Sequence, residues 1–134
     1  MALMLAMKHK KLDMMLYYDA GYVSISAYGG FFAPATFAPS NVYYAFKAFG
    51  ELYALGGEVE CTCDKEGVYS LAATDGEKKS VIISNVKEAV ELETSLSDEF
   101  SVYVIDVNNH FTKTEWSPRK FTLPENTVAV VKNF

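Results

Sequence analysis

From residue 58 onward, apolar and polar positions alternate in short runs, each ended by a cluster of turn residues. In "VELETSL", Val90, Leu92 and Thr94 fall on one face and Glu91, Glu93 and Ser95 on the other, the period of two expected of a strand with one face in water. Asp64 to Gly67, Asp75-Gly76, Asn85 to Glu88, Ser97-Asp98 and Asn108-Asn109 carry turn chemistry, which sets the φ angles and local hydrogen bonds that reverse a chain. The pattern predicts eight strands, over 58–64, 68–74, 79–84, 89–95, 100–106, 111–116, 120–123 and 127–132. Turn signals at intervals of roughly 8–12 residues point to an antiparallel sandwich. "SVYVIDV" and "TVAVV" are nearly continuous apolar runs, as strands covered on both faces should be.

The first 57 residues follow a different pattern, rich in Ala, Met and aromatic residues. Ala2 to Lys10 suits a helix whose basic end complements the helix dipole. Met14 to Tyr18 reads as a strand apolar on both faces, of the kind that lies in a parallel sheet under helices. "VYYAFKAFGELYAL" gives a second helix, with Ser40 and Asn41 as candidate caps and Gly56-Gly57 as a left-handed stop. Its aromatic and leucine positions Tyr44, Phe46, Phe49, Leu52, Tyr53 and Leu55 predict a wide buried stripe. The fold class expected is mainly β (α+β): an antiparallel β-sandwich of about eight strands with an N-terminal helix–strand–loop–helix segment. Residues 1–57 form that segment and 58–134 the sandwich, packed as one unit.

A chain of 134 residues, 50% hydrophobic and 22% charged, is long enough to bury a core without disulfides. A net charge of −5, with Lys8, Lys10 and Lys11 as the one dense basic cluster, argues against nucleic acid. No apolar run approaches the roughly 20 residues that span a bilayer, so no membrane partner is expected. In "MALMLAMKHKK" the apolar residues precede the basic ones, the reverse of a secretory signal. A cytoplasmic location follows as the expectation.

The stretches "DMMLYYDA", "GGFF", "VYYAFKAFGELYALGGEVE" and the closing "FTLPENTVAVV" resemble the C-terminal segment of clan-A glycoside hydrolases, in particular the β-xylosidase-like enzymes of family 39. The resemblance implies the last strand and helices of a (β/α)8 barrel followed by a small sandwich. Such enzymes act through two carboxylates, roughly 5–5.5 Å apart in retaining members, which the family supplies from the fourth and seventh barrel strands. Neither strand falls within the stretch that the resemblance covers, so it implies a non-catalytic portion of a glycosidase. The chain also departs from the family in having Gly21 where a basic or amide residue follows the "YYDA" equivalent.

Candidate binding residues cluster in the loop after the predicted strand. Asp19 stands at the strand's C-terminal end, where barrel enzymes place functional side chains. Tyr22, Tyr28, Phe31, Phe32 and Phe37 offer aromatic faces, which serve either as a stacking platform for a sugar or as cover for a core or an interface. Cys61 and Cys63, two apart on a predicted strand, are expected to be buried thiols, because their separation is poor for a disulfide. His110 reads as a solvated turn residue, and neither it nor His9 has ligand spacing to the cysteines. No cofactor or metal is expected. A strand without neighbours exposes unpaired edges, so a homo-oligomer burying Met14, Leu16, Tyr18, Phe31 and Phe32 is expected, alongside a carbohydrate partner or, as alternatives, a stand-alone carbohydrate-binding or assembly module.

Overall fold

The computed structural model describes residues 1–7, 14–17, 30–33 and 36–134. Its elements run α1 (Ala2–Met7), α2 (Asn41–Tyr53), β1 (Gly57–Val59), β2 (Val68–Thr74), β3 (Lys79–Asn85), β4 (Val90–Glu93), β5 (Ser101–Ile105), β6 (His110–Lys113), β7 (Lys120–Leu123) and β8 (Thr127–Lys132). A six-stranded sheet has the order β1-β2-β3-β8-β5-β6, and β4 pairs with β7 in a second, two-stranded sheet. Every named strand pairing is antiparallel. This is the mainly-β sandwich that the alternation implies, with all eight strands predicted from residue 58 onward present and several trimmed at their ends.

Three layers result. Ile82 and Val130, on one face of the large sheet, join Leu71 and Ala73 beneath Leu5, Ala48, Leu52 and Leu55 of the helical segment. Their sequence neighbours Ile83, Ala129 and Val131 point the other way and meet Leu92, Phe121 and Leu123 of the small sheet. The continuous apolar runs in β5 and β8 therefore reflect burial between helices and a second sheet. Val102 lies on the small-sheet face, whereas Val128 and Val130 lie under the helices, as strand alternation requires.

Helix α2 begins at a Ser40 cap, whose Oγ accepts the Tyr43 N–H at 3.4 Å and donates to the Gly30 carbonyl at 2.8 Å. Its buried residues are Ala45, Ala48 and Leu52, spaced three and four apart so that one narrow stripe meets the sheet. The wide stripe predicted from the aromatic residues is thus corrected. Phe46 and Phe49 are half-buried and Tyr53 is 78% exposed, because the small alanines let the helix sit close to the sheet and turn the larger side chains to its flanks. The chain leaves the helix at Gly56 with φ +81°, as predicted. A Cβ at Gly57 would stand 2.7 Å from the Thr74 carbonyl oxygen, so close pairing of β1 with β2 requires glycine there.

The predicted strand at 14–18 is not formed over Met14–Tyr17. Those residues have no ladder partner among the described residues, and Met14 and Leu16 are 72% and 82% exposed. A two-faced apolar strand needs neighbours on both sides, and the large sheet is already bounded by β1 and β6. Tyr18 lies outside the described residues. The predicted 58–64 strand ends at Val59, which leaves Cys61 half-exposed and Cys63 exposed, both as free thiols. Burial of the two thiols is therefore corrected: it rested on a strand that stops short of them.

Candidate functional site

A chain of aromatic rings runs along α2. The Phe31 ring stacks on Tyr17 at 5.6 Å between centroids and meets Phe46 at 5.0 Å and Tyr43 at 6.4 Å, and Phe32 meets Tyr43 at 5.5 Å. Tyr44 then continues to His110 at 5.9 Å and to Phe111 at 6.5 Å. The loop before the helix is held by backbone bonds from Ala33 N–H to the Ala38 carbonyl and from Ser40 N–H to the Phe31 carbonyl, each 2.8 Å. Of the predicted platform, Phe31 and Phe32 are half-buried and engaged with other rings, and Phe37 is exposed with φ +57°. Asp19, Tyr22 and Tyr28 lie outside the described residues.

Beside the rings lies a groove of about 530 Å³ whose floor includes Met4, Met15, Val42, Phe46, Ile105 and Val128. The polar groups at its edge are occupied with one another. The Asn41 amide donates to the Asp106 carbonyl at 2.5 Å, and its Oδ1 lies 2.6 Å from Nδ1 of His110, which donates to it. The Asp106 carboxylate accepts the backbone N–H groups of Asn108 and Asn109 at 2.7 and 2.8 Å. The groove therefore offers apolar area more than unsatisfied polar groups. Exposed Leu3, Leu16 and Val107, also in its lining, extend that area at 67%, 82% and 84% exposure, more than isolated surface residues would contribute.

His110 opens β6 and ties that edge strand to the first residue of α2, a role that reading it as a solvated turn residue did not capture. The signal was available only in three dimensions, since 69 positions separate it from Asn41. Lys132 is placed more tightly. Its ammonium lies 2.6 Å from Glu51 Oε2 and 4.8 to 5.1 Å from the ring centroids of Tyr103, Phe111 and Phe134, an ion pair wrapped in aromatic faces. Burial pushes the Glu51 carboxyl up, but the hydrogen bond and charge of Lys132, then those of Lys47, outweigh it and leave the group below its ordinary value.

Other ion pairs lie at the exposed surface, among them Glu66 with Lys87 and Asp98 with Arg119. Glu91 and Glu93 converge on Lys120 at 2.9 and 3.0 Å on the wet face of the small sheet, and their hydrogen bonds raise the Lys120 pKa. Among the described residues, no group of three or more His, Cys, Asp and Glu side chains could hold a metal ion, and no helix is long and apolar enough to cross a membrane.

This architecture has counterparts. A glycoside hydrolase family 30 subfamily 8 xylanase from Clostridium acetobutylicum superimposes with a TM-score of 0.62 at 19% identity, over 77% of this chain and 30% of that one. A family 30 endoxylanase from Clostridium papyrosolvens C71 gives 0.59 at 18% identity, over 75% of this chain and 29% of that one. The chain thus shares the fold of part of those enzymes and spans less than a third of their length. No protein-family model and no curated protein matches the sequence. The neighbours belong to family 30 and not to family 39, so the finer expectation from the sequence motifs is corrected. Those motifs are apolar and aromatic, fixed by helix-on-sheet packing that several families share, and carry little to separate one family from another.

Proposed function

We propose that this chain is a non-catalytic accessory portion of a glycoside-hydrolase-type enzyme, a sandwich that braces a larger catalytic body. The observation carrying this reading is the superposition of three quarters of the chain on under a third of two xylanases. The apolar groove beside α2 supports it, since a face whose polar edge is internally satisfied suits the apolar surface of another part of the same protein. Glycosidic cleavage calls for a proton donor and a nucleophile or base flanking one bond. Glu91 and Glu93 instead are both bound to Lys120 on an exposed face.

Xylan and aryl-xylosides test the proposal directly. The chain alone is expected to release no reducing sugar above background, whereas turnover that survives repurification and is lost in Asp19→Asn overturns the non-catalytic reading. Light scattering at micromolar concentration tests the groove. A monomer is consistent with a face made for the rest of an enzyme, and a stable dimer that dissociates on Leu16→Asp assigns that face to a second copy.

A further inference from the structure

We propose a binding cleft for a neutral pyranose oligosaccharide at the far end of α2, where the helix meets the edge of the large sheet; the choice of a sugar rests on the carbohydrate-enzyme reading above. The cleft has a volume of about 450 Å³, within the roughly 300–1,000 Å³ of small-molecule sites. Its floor is Phe49, Leu52, Leu71 and Ala73, and Tyr53 and Glu58 stand at its mouth.

What distinguishes this cleft is that its two functional side chains are unused. Tyr53 is 78% exposed, and among the described residues neither its ring nor its hydroxyl has a partner, in contrast to Phe31, Tyr43 and Phe46, whose rings contact one another. The Glu58 side chain is likewise exposed, and among the described residues its carboxylate has no hydrogen bond or ion pair. Gly50 lies one turn before Tyr53 in the body of α2, where glycine costs about 1 kcal/mol relative to alanine, and a Cβ there would meet nothing within 4 Å. Packing gives no reason for that glycine.

A pyranose matches these groups one by one. Its C–H face lies on an aromatic ring, its hydroxyls donate to a carboxylate, and the apolar floor takes the ring edge. No lysine or arginine lines the cleft, so an acidic sugar would meet only the like charge of Glu58 and is disfavoured. This makes the site selective for chains without acidic substituents.

Calorimetric titration of the chain with xylohexaose is the test, repeated with a xylo-oligosaccharide bearing glucuronic acid. Saturable binding is expected, weaker for the acidic sugar. Tyr53→Ala should weaken it at least about tenfold, the loss of one aromatic contact, with no change in the thermal midpoint. Tyr53→Phe should preserve it, and Glu58→Gln should weaken it less than Tyr53→Ala does. Absence of saturable heat at millimolar sugar, or equal affinity in wild type and Tyr53→Ala, overturns the site and leaves the accessory reading standing. Cleavage of the sugar during titration overturns the accessory reading, and the Tyr53→Ala comparison then still decides the site.

Discussion

The two faces of the six-stranded sheet are closed by different means. On the small-sheet face, Leu92, Phe121 and Leu123 descend onto Val102, Ala129 and Val131, and Leu123, Val102, Ala129 and Val131 are fully buried. On the helix face, α2 contributes two alanines and a leucine to the buried set, and its bulk goes into a flank of rings, Lys132 and Glu51. One face gains its free energy from apolar area removed from water. The other gains closeness from small residues and lets large ones remain partly solvated, which keeps two grooves and an unpartnered tyrosine on that side.

The sharpest break of this comparison is on the dry side. Phe121→Ala should cost about 3–5 kcal/mol in urea unfolding, as deep aromatic truncations do. Phe49→Ala on the helix face, where the ring is half-buried, should cost only about 1–2 kcal/mol, part of the value of a fully buried side chain. Equal losses would mean that the two faces do not differ. Ala48 is 1% exposed at the helix–sheet contact, so Ala48→Leu should cost about 1–3 kcal/mol by overpacking. A stabilised variant would show that α2 can lift off without penalty and that alanine does not set its approach.

Asn85 sharpens the comparison from the polar side. It is 1% exposed, donates to the carbonyls of Glu88, Leu123 and Pro124 at 2.8 to 3.1 Å, and accepts the Lys87 N–H at 3.0 Å. One amide thus fastens the β3 turn to the end of β7. Asn85→Ala strands buried carbonyls and should cost about 1–3 kcal/mol, with amide exchange accelerated first around Leu123. Unchanged exchange there would show that the small sheet is held by its apolar contacts alone.

The eight strands were legible because turn residues and a period of two act locally: each strand's face is decided within a few positions. Double coverage of β5 and β8 was legible too, since no wet face interrupts their apolar runs. The helix stripe was misread because aromatic residues were weighted over alanine. Counting Ala45 and Ala48 with Leu52 would have rotated the buried face and exposed Tyr53. Nothing local could reveal that Met14–Tyr17 forms no strand, or that His110 meets Asn41, because both depend on what the rest of the chain leaves available. The resemblance reached the broad class and not the family for a related reason: apolar motifs report how elements pack and carry little that separates one family from another.

The smallest expected effect, and the one most particular to the helix face, is electrostatic. Glu51 bridges Lys47 at 3.3 Å and Lys132 at 2.6 Å, and its carboxyl is held below the ordinary value in the folded state by those cations against the opposing effect of burial. A group whose folded pKa is depressed binds protons more weakly when folded than when unfolded. Its contribution is therefore complete above the unfolded value of about 4.3 and is lost as pH falls through the lower folded one. Glu51→Gln should remove about 1 kcal/mol or less at pH 7 and flatten the stability profile below about pH 4.5 relative to wild type. The same substitution leaves the ammonium of Lys132, its side chain 9% exposed, with ring faces in place of a carboxylate. Lys132→Met should therefore offset much of the loss in the double variant, since the methionine stem keeps contact with Tyr103 and Phe111 without a charge to solvate. Additive losses would show that the rings, and not the carboxylate, hold the lysine.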